Sequence, residues 1–229
     1  MYNNDVPVIT LDGPSGTGKG TLCQLLAKQL KWNMLDSGAI YRVLAYAARK
    51  NNIASNDTKQ LVGLARSLNL RFDFCDEYGS RAILDNVDVS REIRSEQCGQ
   101  DASQIAAIPE VREALLERQR NFAQPPGLVT DGRDMGTVVF PNAILKIFLY
   151  ANAEERANRR YLQLKEKGIN VSLAQVVEEL ATRDVRDTAR THAPLKPASD
   201  AVQIDTTRLS IVQVFDNVLN LINERLYSV

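Results

Sequence analysis

Nine consecutive residues concentrate the chemistry this sequence offers: Gly13, Pro14, Ser15, Gly16, Thr17, Gly18, Lys19, Gly20 and Thr21. Glycines at this density let backbone N–H groups converge on an anion, and a helix starting at the end of the loop adds its positive N-terminal potential. Lys19 is placed to reach the β- and γ-phosphates of a nucleoside triphosphate, and the Thr21 hydroxyl can orient Mg²⁺ or a phosphate oxygen. The general phosphate-loop pattern puts Ser or Thr directly after the lysine; here Gly20 intervenes and the threonine comes one place later. No N-K-x-D segment for reading guanine follows.

The loop needs a strand before it and a helix behind it, and the sequence supplies both. Val6 to Leu11 is a short β-branched run that reads as a buried strand, and from Thr21 the apolar residues Leu22, Leu25, Leu26, Ala27 and Leu30 fall at helical spacing. The rhythm repeats with an extended piece at 32–36, a helix over about 39–50, buried strands at 127–131, 144–150 and 201–205, and a closing helix over about 210–226. Five short apolar strands alternating with helices predict an α/β fold with a mostly parallel five-stranded sheet flanked by helices, ligands gathering at the carboxyl ends of the strands. Leu70 to Ser90 breaks this pattern. Its period-two alternation, with turn residues at 77–79 and at Asp85-Asn86, predicts a small antiparallel insertion.

Composition narrows the function classes. Twenty-eight Lys plus Arg cancel 28 Asp plus Glu, so no global field draws the chain to nucleic acid or an anionic membrane. Arginine outnumbers lysine, which suits bidentate capture of small anions. No apolar run is long enough for a membrane helix and MYNNDVPVIT lacks the character of a secretion signal, so a cytoplasmic protein is expected. Cys23, Cys75 and Cys98 are widely spaced and form no C-x-x-C pair, and the one histidine, His192, leaves little for transition-metal or Ser/His chemistry. His192 itself, next to Ala193-Pro194, reads as the mark of a helix end.

Four further segments carry polar residues in suggestive order: Asp36-Ser-Gly-Ala-Ile-Tyr41-Arg42; Ser103 followed by Arg112-Glu-Ala-Leu-Leu; Asp131-Gly-Arg133-Asp134-Met-Gly-Thr137; and Arg183-Asp-Val-Arg-Asp187-Thr-Ala-Arg190. Taken singly they admit plain readings. Arg112 could lie on a solvated helix face, and Asp131 could be a strand-end turn residue as readily as a carboxylate near a metal. Arg183, Asp187 and Arg190 are spaced to share one helical face.

In order, and over nearly the whole chain, these segments and the G-K-G-T loop ending resemble the bacterial cytidylate kinases, a branch of the P-loop nucleoside monophosphate kinases. The D-G-x-P-R segment usual in adenylate kinases is replaced here by Asp131-Gly132-Arg133-Asp134. The resemblance implies a single P-loop kinase domain over 1–229, with a substrate-binding insertion at about 62–105 and a short helical lid at about 154–170. It implies ATP-dependent phosphorylation of CMP and dCMP with Mg²⁺ by a monomer that engages neither nucleic acid nor membrane. Lys19, Arg133 and Arg183 would be catalytic. Residues 13–21 and Arg159, one of the lid arginines with Arg156 and Arg160, would bind ATP. Ser37, Arg42, Ser103, Arg112, Arg133, Asp134, Arg183, Asp187 and Arg190 would bind the acceptor, with Ser103, Arg112 and Asp134 reading cytosine and Arg183 with Asp187 the pentose. An acceptor such as AMP, UMP or a small hydroxylated metabolite, or an ATP sensor without turnover, would keep the loop and change the rest.

Overall fold

The computed structural model describes residues 6–75, 79–166 and 168–227. They separate into two compact units: Asp36–Asn121 forms one, and the chain through Leu35 together with the chain from Phe122 forms the other.

The unit that contains the phosphate loop is built on a five-stranded sheet. Its strands are β1 (Val8–Asp12), β2 (Asn33–Asp36), β6 (Leu128–Gly132), β7 (Leu145–Tyr150) and β8 (Val202–Asp205), in the spatial order 2-6-1-7-8. β1 is central and runs parallel to β6 on one side and β7 on the other, with Ile9 in register with Val129 and Leu145. β8 adds parallel to β7. All five positions expected to be strands are strands, each within two residues of its expected ends.

One face of this sheet is apolar. Ile9, Leu11, Val129, Leu145, Ile147 and Leu149 pack there against Leu22, Cys23 and Leu26 of α1 (Lys19–Leu30) and Val214, Val218 and Ile222 of α8 (Ile211–Tyr227). The other face alternates polar residues at the same registers. Thr10 lies beside Thr130 and Lys146, all three buried. Gly136 seals this face so closely that an added Cβ would stand 2.8 Å from Thr10 Oγ1. Lys146 reaches out to an ion pair with Asp200.

The unit Asp36–Asn121 has its own core. α2 (Ser37–Lys50) starts where Asp36 caps the Ala39 N–H, and presents Ile40, Val43, Leu44 and Ala47 inward. Around it lie α3 (Thr58–Ser67), α4 (Glu96–Ile105) and α5 (Pro109–Arg120), with Leu61, Ile105, Val111 and Leu115 fully buried. The expected antiparallel insertion is a three-stranded sheet, β3 (Leu70–Cys75), β4 (Gly79–Leu84) and β5 (Val87–Asp88). Asp85 and Asn86 take positive φ, as a tight β4–β5 hairpin turn requires. The other expected turn, at 77–79, falls largely outside the described residues.

Two long helices complete the loop-bearing unit: α6 (Ala153–Glu166), on the segment expected to be helical, and α7 (Leu173–Ala189). α7 opens with a capping box in which Ser172 and Gln175 satisfy each other's backbone N–H groups.

Candidate functional site

The loop after β1 is held open by close packing at two glycines. Gly13, at φ +146°, lies so near β7 that a Cβ would stand 2.0 Å from the Leu149 carbonyl. Gly16, at φ +82°, rests on the backbone of Arg156 in α6, with a contact of 2.8 Å for an added Cβ. Any side chain would push the loop off both supports. Lys19, the first residue of α1, folds its ammonium back onto the Pro14 carbonyl at 2.7 Å and Thr17 Oγ1 at 3.4 Å, spanning the loop. Burial, then the charge of Arg133, push its pKa well below the usual lysine range, while Asp131, Asp12 and Asp187 pull it back. An anion bound in the loop would favour the charged form.

Arg133 is the hub of the polar network. Its Nη2 donates to Ser15 Oγ in the loop at 2.6 Å, its Nε donates to Asp187 Oδ2 in α7 at 2.7 Å, and its Nη1 donates to the Gly132 carbonyl at 3.1 Å. Burial disfavours the guanidinium charge, yet the carboxylates of Asp187, Asp131 and Asp184 together outweigh it and hold Arg133 above its ordinary pKa. Asp187 is the reciprocal case: burial alone would raise its carboxyl, but Arg133 and Arg190 hold it below the usual range. Arg183 and Asp187 face inward one turn apart on α7. Arg190 does not continue their helical face. It is the residue on which α7 ends, in extended conformation, and its guanidinium returns to Asp187, with Nε donating to the Asp187 carbonyl at 3.2 Å.

Asp134 is buried at the start of a single wide helical turn, Met135–Val139, where Val139 N–H reaches the Asp134 carbonyl and Phe140 N–H the Met135 carbonyl. Such i to i+5 turns are uncommon and recur at functional sites. This one is fixed from outside by Asp12, at the end of β1. The Asp12 carboxylate accepts from the Met135 N–H at 2.9 Å and the Gly136 N–H at 2.8 Å. Burial raises its pKa to about 6 against the lowering effect of those same bonds. Asp131 is buried on β6 in register with Leu11.

The three arginines of α6 divide. Arg156 is buried and donates to the Ser15 carbonyl at 3.1 Å, the Ala151 carbonyl at 3.2 Å and Asp184 of α7 at 2.6 Å. Arg159 pairs with Glu155 and donates to Thr206 Oγ1 and the Thr206 carbonyl, so it braces the turn after β8. Arg160 bonds the exposed Gln163.

Four assigned residues belong to the unit Asp36–Asn121. Ser37 Oγ donates to Gln119 Oε1 at 2.6 Å in a buried pair. Arg42 Nη1 donates to the Ile93 carbonyl at 3.2 Å. Ser103 lies half-buried on α4. Arg112, which could have been a solvated helix-face residue, is buried in the first turn of α5, where its Nη1 donates to the Ala106 carbonyl at 3.0 Å.

Asp12 and Gln119 were not singled out from the sequence. A carboxylate ending an apolar strand just before the loop is a usable signal for Asp12; nothing local marks Gln119, whose partner lies 82 residues away. For a divalent cation, the described residues hold no group of three or more His, Cys, Asp or Glu able to bind one, and both Asp12 oxygens take backbone N–H groups. The exposed Thr21 hydroxyl in the first turn of α1 fits a cation carried chiefly by nucleotide phosphates and water. No helix is long and apolar enough to cross a membrane among the described residues.

Comparison with known proteins matches residues 9–224 to the family described as cytidylate kinase. The chain is 57% identical over 215 residues to the cytidylate kinase of Pseudomonas syringae pv. tomato, covering 93% of this chain and 94% of that protein. It is 58% identical over 218 residues to the cytidylate kinase of Nitrosococcus oceani, covering 95% and 96%.

Proposed function

The chain belongs to the cytidylate kinase family, and from that membership we propose that it transfers the γ-phosphoryl group of ATP to CMP and dCMP, giving ADP and CDP or dCDP. The observation that carries this reading within the molecule is Arg133, bonded at once to the phosphate loop through Ser15 and to α7 through Asp187. Phosphoryl transfer between two polyanions asks for such a cation between donor and acceptor groups.

In this reading the amides of residues 13–21 and Lys19 hold the ATP phosphates, and Arg159 supports the donor nucleotide. The acceptor phosphate is already ionised, so positioning and charge neutralisation do the work that a general base does elsewhere. Arg42, Arg133, Arg183 and Arg190 neutralise it, and Ser37 adds a polar contact. Asp187 and Arg183 hold the pentose. Ser103, Arg112 and Asp134 read cytosine: a carboxylate accepts from the N4 amino group while donors meet O2 and N3. Uracil reverses donor and acceptor along that edge and leaves buried polar groups unmatched. Thr21, together with the nucleotide's own phosphates and water, would hold Mg²⁺, which would supply charge neutralisation for the transfer. The reading extends to a cytoplasmic monomer that engages neither nucleic acid nor membrane, and the balanced charge supports the last point.

An ADP-release assay with MgATP and CMP, dCMP, UMP, AMP, GMP or no acceptor tests the proposal. Turnover confined mainly to CMP and dCMP is expected. Equal rates with AMP or UMP would reject the cytosine reading, and ATP binding without acceptor-dependent turnover would reject the kinase.

A further inference from the structure

Arg112 occupies an awkward place for a cation. It lies in the first turn of α5, whose N-terminal potential is positive and whose leading residue, Ile108, offers no side-chain cap. It is also 9% exposed, so water does little to stabilise its charge. Among the groups around it, two neighbours that oppose these costs stand out. One is the Ala106 carbonyl at the end of α4, on the negative side of that helix, which accepts from Nη1. The other is Tyr41 of α2, whose buried ring lies beneath the guanidinium, 5.5 Å from its centre to Cζ. Both neighbours belong to the same compact unit as Arg112.

We propose that Tyr41 is a specificity-determining positioning residue, its ring face holding the Arg112 guanidinium in the orientation from which Arg112 reads the acceptor base. A ring face attracts a guanidinium as a charge, whereas a carboxylate in the same place would compete with the base for its N–H donors. The carbonyl fixes one corner of the guanidinium and the ring fixes its position over α2. The inference rests on the assignment of Arg112 to the base, and it adds a cause for the precision of that contact.

Steady-state kinetics on Tyr41→Leu, Tyr41→Phe, Arg112→Met and the double variant Tyr41→Leu/Arg112→Met separate the two claims. Tyr41→Leu should raise KM for CMP about tenfold, within the range of a desolvated cation–π contact, and lower the CMP over UMP preference. KM for ATP should stay within about twofold, since Arg112 is assigned to the acceptor alone. Tyr41→Phe keeps the ring and should restore KM for CMP to within about twofold of the parent. In the Arg112→Met background the Tyr41→Leu change should have almost no further effect.

Equal damage from Tyr41→Phe and Tyr41→Leu, or a full Tyr41→Leu effect without Arg112, would overturn the proposal while leaving Arg112 in its role. An unchanged KM for CMP in Arg112→Met would instead overturn the base assignment and the role of Tyr41 with it. Should Tyr41→Leu not fold, replacing Tyr41 by pentafluorophenylalanine makes the same test. It is nearly isosteric with Phe, but its ring face no longer attracts a cation, so it should behave as Tyr41→Leu does and unlike Tyr41→Phe.

Discussion

Asp12 touches two backbone N–H groups and thereby sets the turn that follows Arg133 and Asp134. A carboxylate suits this place because each oxygen accepts one N–H, where an amide would offer one acceptor and turn a donor against the other. Burial raises its pKa from 3.8 to about 6. The folded chain therefore binds more protons than the unfolded chain between those values, and stability attributable to Asp12 is full below about pH 3.8 and lost as pH rises through about 6. The unfolding free energy of the parent minus that of Asp12→Asn, from urea titrations, should fall by about 2–3 kcal/mol between pH 4 and pH 7. A difference that stays flat with pH would show that the carboxyl is not raised. At this scale the sequence was most legible where residue type and chemistry coincide, as at Lys19, and least where a side chain serves the backbone. Asp12 reads as one more acid in a glycine turn until Gly136, 124 residues away, is brought onto it.

Elements were legible where their periodicity is strong and their ends are set locally. The strands β1, β6 and β7 are short, mostly apolar runs, and α2 begins at the Asp36 cap that its own sequence supplies. The turn Met135–Val139 has no such local cause, being dictated by Asp12 and by the contact of Gly136 with β1 and β7. Nor does helical spacing place Arg190, because α7 stops one residue before it. Arg156, like Arg133, fastens α7 to the phosphate loop: it joins Ser15 to Asp184, with Gly16 packed on its backbone. Removing one partner of a buried pair costs more than neutralising the exposed one. Arg156→Met should thus destabilise the fold by about 3 kcal/mol, since it strands the Ser15 and Ala151 carbonyls as well as Asp184, whereas Asp184→Asn, at a side chain 25% exposed, should cost about 1 kcal/mol. Urea unfolding of the two variants measures the order; equal losses would mean that the carbonyl contacts contribute nothing.

The division into two compact units was not legible as such, because composition does not change at Asp36 or Asn121 and the boundary is drawn only by which helices pack together. It matters for how ligands act on the chain. The phosphate loop, Arg133, Asp134, Arg183, Asp187 and Arg190 belong to one unit, and Ser37, Arg42, Ser103 and Arg112 to the other. The two substrates should therefore leave different footprints in amide hydrogen exchange, which reports local opening. A non-hydrolysable ATP analogue with Mg²⁺ should slow exchange in residues 13–21 and at the start of α1, and leave α4 and α5 near their unliganded rates. CMP alone should slow exchange around Ser103 and Arg112 and also over residues 183–190. Each residue-level assignment then meets a regional measurement that needs no turnover. CMP protection confined to the loop-bearing unit would remove Ser103 and Arg112 from the acceptor set and leave Asp134 alone to prefer cytosine to uracil.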